Sequence, residues 1–259
     1  MILLQGAEIK REFFSAGELK IKLPVIAEDV PVRITWRYED DGEYFMVACM
    51  RMHYLQHECH LYIPYFPHAR MDRVKNPEDV FTLKHFAELI NALGFKSVTT
   101  EDVHSNVTTA LVNNIHNLSP YRHIKDTIMS IGDADLVLFF PDEGAAKRYG
   151  EMFPKFYQTF GLKKRNWETQ KIEGLTIIDP EMVKDKNVLI VDDICSYGNT
   201  FVRAAKALRE AGAKKVHLYV THAEEAIAKG EVFEYLDEVY TTSSLVRTPA
   251  TEAMLFHVS

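Results

Sequence analysis

Two hydrophobic rhythms alternate along the chain. Short runs rich in β-branched and aromatic residues, at 32–38 (VRITWRY), 59–66 (CHLYIPYF), 97–102, 136–140 (LVLFF), 188–191 (VLIV), 215–221 and 238–245, predict strands. Between them, apolar residues return every three or four positions, the spacing of one helical face. Val80, Leu83, Phe86, Ala87, Ile90 and Leu93 form one such stripe over 78–93, stopped by Gly94, and Phe201, Val202, Ala205 and Leu208 form another. Residues 43–57 and 119–131 also read as helices, the second capped by Ser119 with Pro120 at its first position. Strand followed by helix, repeated, predicts an α/β protein with two units, 1–118 and 119–259, each a mainly parallel sheet flanked by helices. Residues 11–23 alternate around a Ser-Ala-Gly turn and predict a strand or a hairpin. The basic stretch 160–174 reads from composition as a solvated loop, and the end of the chain as a short surface-packed tail.

Composition narrows the function classes. With 259 residues, 47% of them hydrophobic, the chain can bury two cores of ordinary domain size. A net charge of −7 argues against generic nucleic-acid binding, which needs a positive field, so any phosphate site is local. Cys49, Cys59 and Cys195 form no paired framework, which suits a reducing compartment. The apolar run at the N-terminus is too short for a signal peptide, and no stretch is long enough to span a bilayer. A cytoplasmic protein with small-molecule ligands and no membrane partner is expected.

The chemistry concentrates in residues 188–212, VLIVDDICSYGNTFVRAAKALREAG. A buried strand runs into Asp192 and Asp193, then a loop Ser196-Tyr197-Gly198-Asn199-Thr200, then an amphipathic helix. Loop N–H groups and a helix N-terminus directed at one spot favour a phosphate, while adjacent carboxylates suit vicinal sugar hydroxyls or a metal. Together they describe a ribose 5-phosphate cradle; an ordinary strand-to-helix turn is the plainer alternative. A second signal is YIPYFPHARMDR, residues 62–73, where a strand ends in two prolines and places His68, Arg70, Asp72 and Arg73 on a loop. Its arginines suit a polyphosphate. His53, His57, Cys59 and His60 lie close enough for zinc, but no second cluster accompanies them, so a packed or solvated helix end is the preferred reading. His222, at a strand tip, is read as a packing or turn residue.

These motifs carry a family resemblance. VDDICSYGNT resembles the ribose-phosphate loop of the type I phosphoribosyltransferase fold, with Tyr197 where Thr is usual and Asn199 where Gly is usual. YFPHARMDR is similar to the Pro-Tyr-Phe-Pro-Tyr-Ala-Arg-Gln-Asp-Arg signature of ribose-phosphate pyrophosphokinases; here His68 replaces Tyr and Met71 replaces Gln. Asp102-Val103-His104-Ser105 matches that family's Asp-Leu-His-Ser, and Pro141-Asp142-Glu143-Gly144 matches its pyrophosphate loop, with Ala145 in place of a second Gly. The resemblance runs from about Phe14 to Leu245 with the motifs in the family's order. It lacks the usual first strand and helix and has an abbreviated C-terminal region.

The resemblance implies a reaction and roles. The 1-hydroxyl of ribose 5-phosphate, or of a 5′-substituted ribose such as ADP-ribose, would attack the β-phosphorus of ATP, giving phosphoribosyl pyrophosphate (PRPP) and AMP. Arg70, Asp72 and His104 would bind ATP, with Phe14 and Glu18 reaching a neighbouring subunit's adenine pocket; Ala16 stands where an adenine-reading Asn or Asp is usual. Magnesium would be held through His104 and Asp142. Asp192 and Asp193 would take the ribose hydroxyls and Ser196 to Thr200 the 5′-phosphate. Lys163 and Arg165, with Lys164 an alternative register for the lysine, would act catalytically from a mobile loop over the phosphates. A homo-oligomer, dimer or hexamer, is also implied. A phosphoribosyltransferase that consumes PRPP shares the cradle but leaves YFPHARMDR without a role; a non-catalytic regulator leaves Lys163, Arg165, His104 and Asp142 without one.

Overall fold

A computed structural model of the protein describes residues 1–165 and 172–258, excluding the side chains of 163–165 and 172–174. The chain divides into two compact units, Met1–Ser119 and Pro120–Ser259. Among the described residues no helix is long and apolar enough to cross a membrane.

The first unit holds a six-stranded sheet built from β1 (Ile2–Leu4), β2 (Ala7–Glu8), β5 (Val32–Trp36), β6 (Cys59–Tyr62), β7 (Ser97–Glu101) and β8 (Ile115–Leu118), in the order β2-β1-β5-β6-β7-β8. β5 to β8 run parallel, and β1 joins β5 antiparallel. Helices α1 (Glu43–His53), α2 (Thr82–Ala92) and α3 (Asn106–Leu111) belong to the same unit. The burial alternation of β5 follows its pleat: Val32, Ile34 and Trp36 are buried among Met46, Met50, Leu83 and Phe86. The indole of Trp36 donates to Glu43 Oε2 at 2.8 Å, satisfying a buried polar group at the start of α1. β3 (Glu12–Phe13) and β4 (Leu19–Lys20) form the expected hairpin, a separate two-stranded sheet. Gly17 takes the left-handed turn position there, at φ 84°.

The second unit is a seven-stranded sheet in the order β11-β10-β9-β12-β13-β14-β15. Its strands are β9 (Val137–Phe140), β10 (Tyr157–Arg165), β11 (Ile172–Ile177), β12 (Asn187–Cys195), β13 (Lys215–Ala223), β14 (Glu238–Thr241) and β15 (Phe256–His257). All pairings are parallel except β10 with β11. α4 (Tyr121–Ile131) and α5 (Glu143–Tyr149) cover one face with Ile124, Ile128, Ala145 and Tyr149. α6 (Asn199–Glu210) covers the other with Phe201, Val202, Ala204, Ala205 and Leu208, joined there by Val232 of α7 (Val232–Tyr235). A short helix, α8 (Pro249–Glu252), leads toward β15.

Both sheets are mainly parallel and helix-flanked, as the alternating rhythms predict. Three local expectations change. The described ends of the basic stretch are strands: Gly161 sits under Leu175, where a Cβ would come within 2.6 Å of Leu175 Cδ1, and this close approach seats β10 against β11. The tail contributes α8 and the edge strand β15, which pairs with β14 through Tyr240 and Phe256. Pro120, not Ser119, occupies the cap position of α4, with no side-chain capping bond among the described residues.

Candidate functional site

In the first unit, two motifs meet at the carboxyl ends of β6 and β7. The chain leaving β6 passes Pro64 and turns at His68, whose φ of 64° is uncommon for a residue other than glycine. Asp102, 1% exposed and at φ 40°, makes a similar turn after β7. Two such turns side by side mark a region held by its surroundings rather than by local preference. The tie between them is Asp72. Arg73 donates to both of its carboxylate oxygens at 2.7 and 2.9 Å, and Ser105 Oγ donates to Oδ2 at 2.7 Å. Arg73 first, and Ser105 after it, pull the Asp72 carboxyl down to about 2, so it stays charged at any physiological pH.

Ser105 also accepts from Val107 N at 3.2 Å as the cap of α3, so a single hydroxyl anchors both the loop and the helix. Ser105→Ala is therefore expected to cost about 1–2 kcal/mol, the sum of a cap and a charge-assisted bond. The check is a lower urea midpoint at unchanged slope. Arg70 and His104 are exposed on the two tied segments. His68 turns elsewhere: its Nε2 lies 2.9 Å from Asp41 Oδ1 and its ring 5.0 Å from that of Phe86, so it packs against α2 and lines a cavity of about 260 Å³ with Tyr44 and Leu89. Phe14, 54% exposed, and Glu18 stand on the β3–β4 hairpin, joined by Phe14 N donating to Glu18 O at 2.9 Å.

In the second unit the acidic pair lies within a strand rather than at its tip. β12 continues to Cys195 along β13, but its pairing with β9 ends at Ile190. Asp192 and Asp193 therefore sit beyond the end of β9, beside the Pro141–Asp142 turn. Strand alternation sends the two carboxylates to opposite faces: Asp192 shares the α6 face with Val188 and Ile190, and Asp193 shares the α4–α5 face with Leu189 and Val191. Asp193 is met there by Arg148 of α5, Nη1 to Oδ2 at 3.6 Å. Asp192 Oδ1 accepts from Asp193 N at 3.0 Å. Burial, and then the charge of Asp193, push the Asp192 carboxyl well above the usual carboxylate range.

Beyond the pair, the loop backbone is wedged. Gly198 caps α6 at φ 77°, and a Cβ on it would lie 1.9 Å from Val232 Cγ2. A Cβ on Gly230 would lie 2.0 Å from the Tyr197 carbonyl oxygen. With the backbone pinned from both sides, Tyr197, Asn199 and Thr200 present exposed side chains and Ser196 a half-buried one. Among the described residues no side chain caps α6, and its first N–H groups face the same loop.

Asp142 caps α5, its Oδ1 accepting from Ala145 N at 3.1 Å. Among the described residues no three His, Cys, Asp or Glu side chains form a metal cage. Magnesium does not require one: it is commonly bound by one or two carboxylates together with substrate phosphates and water, and the hard oxygen donors of Asp142 suit that role. The zinc reading of His53, His57, Cys59 and His60 gains no support: His57 Nδ1 lies 3.1 Å from Val30 O, His60 engages Ser97 and Glu58, and the Cys59 thiol donates to Tyr54 O. His222 is buried against Ser244 Oγ, a packing role. The side chains of Lys163, Lys164 and Arg165 lie outside the described residues.

Comparison with known proteins places the chain in a family. The phosphoribosyl transferase domain family matches residues 121–242. The ribose-phosphate pyrophosphokinase of Campylobacter jejuni is 33% identical over 198 residues, 71% of this chain and 60% of its own length. That of Thermococcus kodakarensis is 33% identical over 196 residues, 71% of this chain and 66% of its own. The chain belongs to the ribose-phosphate pyrophosphokinase family. It spans about three fifths to two thirds of the length of these curated relatives. The fold extends further than the identity: phosphoribosylpyrophosphate synthetase from Mycobacterium smegmatis superposes with a TM-score of 0.77 over 97% of this chain and 86% of its own, at 18% identity.

Two features of this family member were not singled out in the sequence. Arg148 follows Lys147 on α5 as an unremarkable cation, and its partner Asp193 belongs to another strand. Gly230 lies far along the chain from the loop it presses on.

Proposed function

We propose that the protein transfers the β,γ-diphosphoryl group of ATP to the 1-hydroxyl of ribose 5-phosphate, giving PRPP and AMP. The observation that carries this reading is the Ser105–Asp72 tie, which joins the two motifs that the family resemblance assigns to ATP. A phosphoribosyltransferase would need the cradle alone. The sugar oxygen forms a bond to the β-phosphorus, the bond between the β-phosphorus and the α,β-bridging oxygen breaks, and AMP leaves carrying the bridging oxygen while the hydroxyl proton passes to solvent. Such a transfer needs alignment and charge neutralisation more than covalent help.

Asp192 and Asp193 serve the ribose hydroxyls, Ser196 to Thr200 and the start of α6 the 5′-phosphate, and Arg70, Asp72 and His104 the nucleotide. Lys163 and Arg165 supply cations to the reacting phosphates. Magnesium, held through Asp142 and His104, would neutralise phosphate charge when bound. Phe14 and Glu18, exposed on their hairpin, serve a neighbouring copy in a homo-oligomer, a dimer or hexamer. A cytoplasmic location accords with this chemistry.

Exposed Tyr197 and Asn199 favour a second reading of the acceptor, in which a larger 5′ substituent such as that of ADP-ribose lies across them. The deciding assay offers ATP and magnesium with ribose 5-phosphate or ADP-ribose and resolves AMP, ADP and the diphosphorylated sugar. AMP formed with one sugar names the acceptor. Folded protein that yields AMP with neither overturns the reading in favour of the transferase or the non-catalytic regulator.

A further inference from the structure

The acidic pair presents a physical problem that its sequence does not solve. Two adjacent carboxylates in a strand beyond the end of β9 repel one another, and Asp193 is only 6% exposed at its side chain, so water screens it little. The pleat separates the carboxylates onto opposite faces but leaves Asp193 facing the apolar layer of Leu189, Val191 and Tyr149. A buried carboxylate in such a layer needs a cation. Arg148 is placed to be that cation: its Nη1 lies 3.6 Å from Asp193 Oδ2, its side chain is itself three-quarters covered, and its guanidinium lies 5.4 Å from the ring centroid of fully buried Tyr149. α5, which carries Arg148, is the helix capped by Asp142. One short helix therefore fixes the turn that bears the Asp142 carboxylate and, through Arg148, the acidic strand beside it.

We propose that Arg148 is a positioning residue for the ribose site: it anchors Asp193 toward α5 and thereby sets the orientation in which the acidic pair meets the sugar hydroxyls. The inference rests on the ribose-phosphate reading of the cradle given above. It makes Asp192 the member of the pair whose carboxylate stands on the loop side, and Asp193 the member whose orientation depends on a partner. Arginine suits the post because its planar, always-charged head keeps its geometry where a lysine would present a point charge.

The test uses the 259-residue protein and four variants, Arg148→Gln, Arg148→Lys, Asp193→Asn and the Arg148→Gln/Asp193→Asn double, with KM and kcat measured separately for the sugar and for ATP. Arg148→Gln is expected to raise KM for the sugar by about tenfold or more, with the ATP KM within about twofold and a smaller change in kcat. Arg148→Lys should recover part of that loss, and in the Asp193→Asn background Arg148→Gln should add little, because the two act as one unit. An unchanged sugar KM in Arg148→Gln, an effect fully additive with Asp193→Asn, or an equal rise in the ATP KM would each overturn the proposal. Wild-type protein that neither turns over nor binds either sugar by calorimetry overturns the ribose-phosphate reading and the proposal with it. A working wild type with a normal Arg148→Gln variant overturns the proposal alone.

Discussion

Gly198→Ala is expected to remove ribose-phosphate binding and to destabilise the second unit by about 2–4 kcal/mol, from left-handed strain plus overpacking. The two costs are separable. At φ 77° an alanine is strained whatever space surrounds it, and its methyl would also enter the volume of Val232 Cγ2, 1.9 Å away. Val232 is fully buried at the start of α7 and cannot swing aside. The backbone must yield instead, which moves the N–H groups at the start of α6. Adding Val232→Ala to Gly198→Ala should recover the packing part of the loss, measured against Val232→Ala alone, and leave the strain. Urea unfolding reads the stability, and calorimetric titration with ribose 5-phosphate reads the binding. A single variant that binds as wild type does would show that the loop is not the anion cradle.

Asp192→Asn should separate stability from function. The Asp192 carboxyl is held well above the usual range, first by burial and then by Asp193. The folded state thus binds its proton more tightly than the unfolded state does. Stability falls as pH rises from the unfolded carboxylate value of about 4 through the raised folded value. An asparagine carries no such loss. The variant is expected to melt at or above the wild-type temperature at pH 8, with a flatter dependence of melting temperature on pH. If Asp192 takes a ribose hydroxyl, kcat/KM should meanwhile fall by about 10- to 100-fold, the worth of a hydrogen bond to a charged group. A variant that is less stable at high pH and retains full activity would reverse both assignments.

Much of the architecture was legible because alternation and helical stripes survive in single sequences. The run 188–191 could only be a buried strand, and the stripe from Leu83 to Ile90 only a helix packed on one side. The exceptions share a cause. Around Lys163, Lys164 and Arg165 the apolar alternation is sparse, so charge conceals a pairing that rests on contacts such as Gly161 beneath Leu175. β15 is two residues long, too short for any period to register.

At the candidate site, the residue types and their order singled out the loop after Asp192 and Asp193 and the two motifs that Asp72 and Ser105 tie together. Alternation could further have predicted the opposite facing of Asp192 and Asp193. The partner of Asp193 could not be read, since the phase of α5 against β12 is set by tertiary packing. The same limit applies to the pinned loop: Gly198 announces a left-handed turn, but nothing in the intervening chain announces that Gly230 and Val232 will close on it.

Cys195 lies two residues past the acidic pair, with no exposure, and its thiol is pushed up to about 12, chiefly by burial and further by the carboxylates of Asp192 and Glu224. Only the thiolate reacts readily with alkylating reagents, so in the closed fold this sulfur is nearly inert. Its modification must wait for β12 to part from β13, and the rate then counts how often the strand opens. On the proposed reading, a sugar phosphate settled in the loop holds this strand closed and slows that chemical clock.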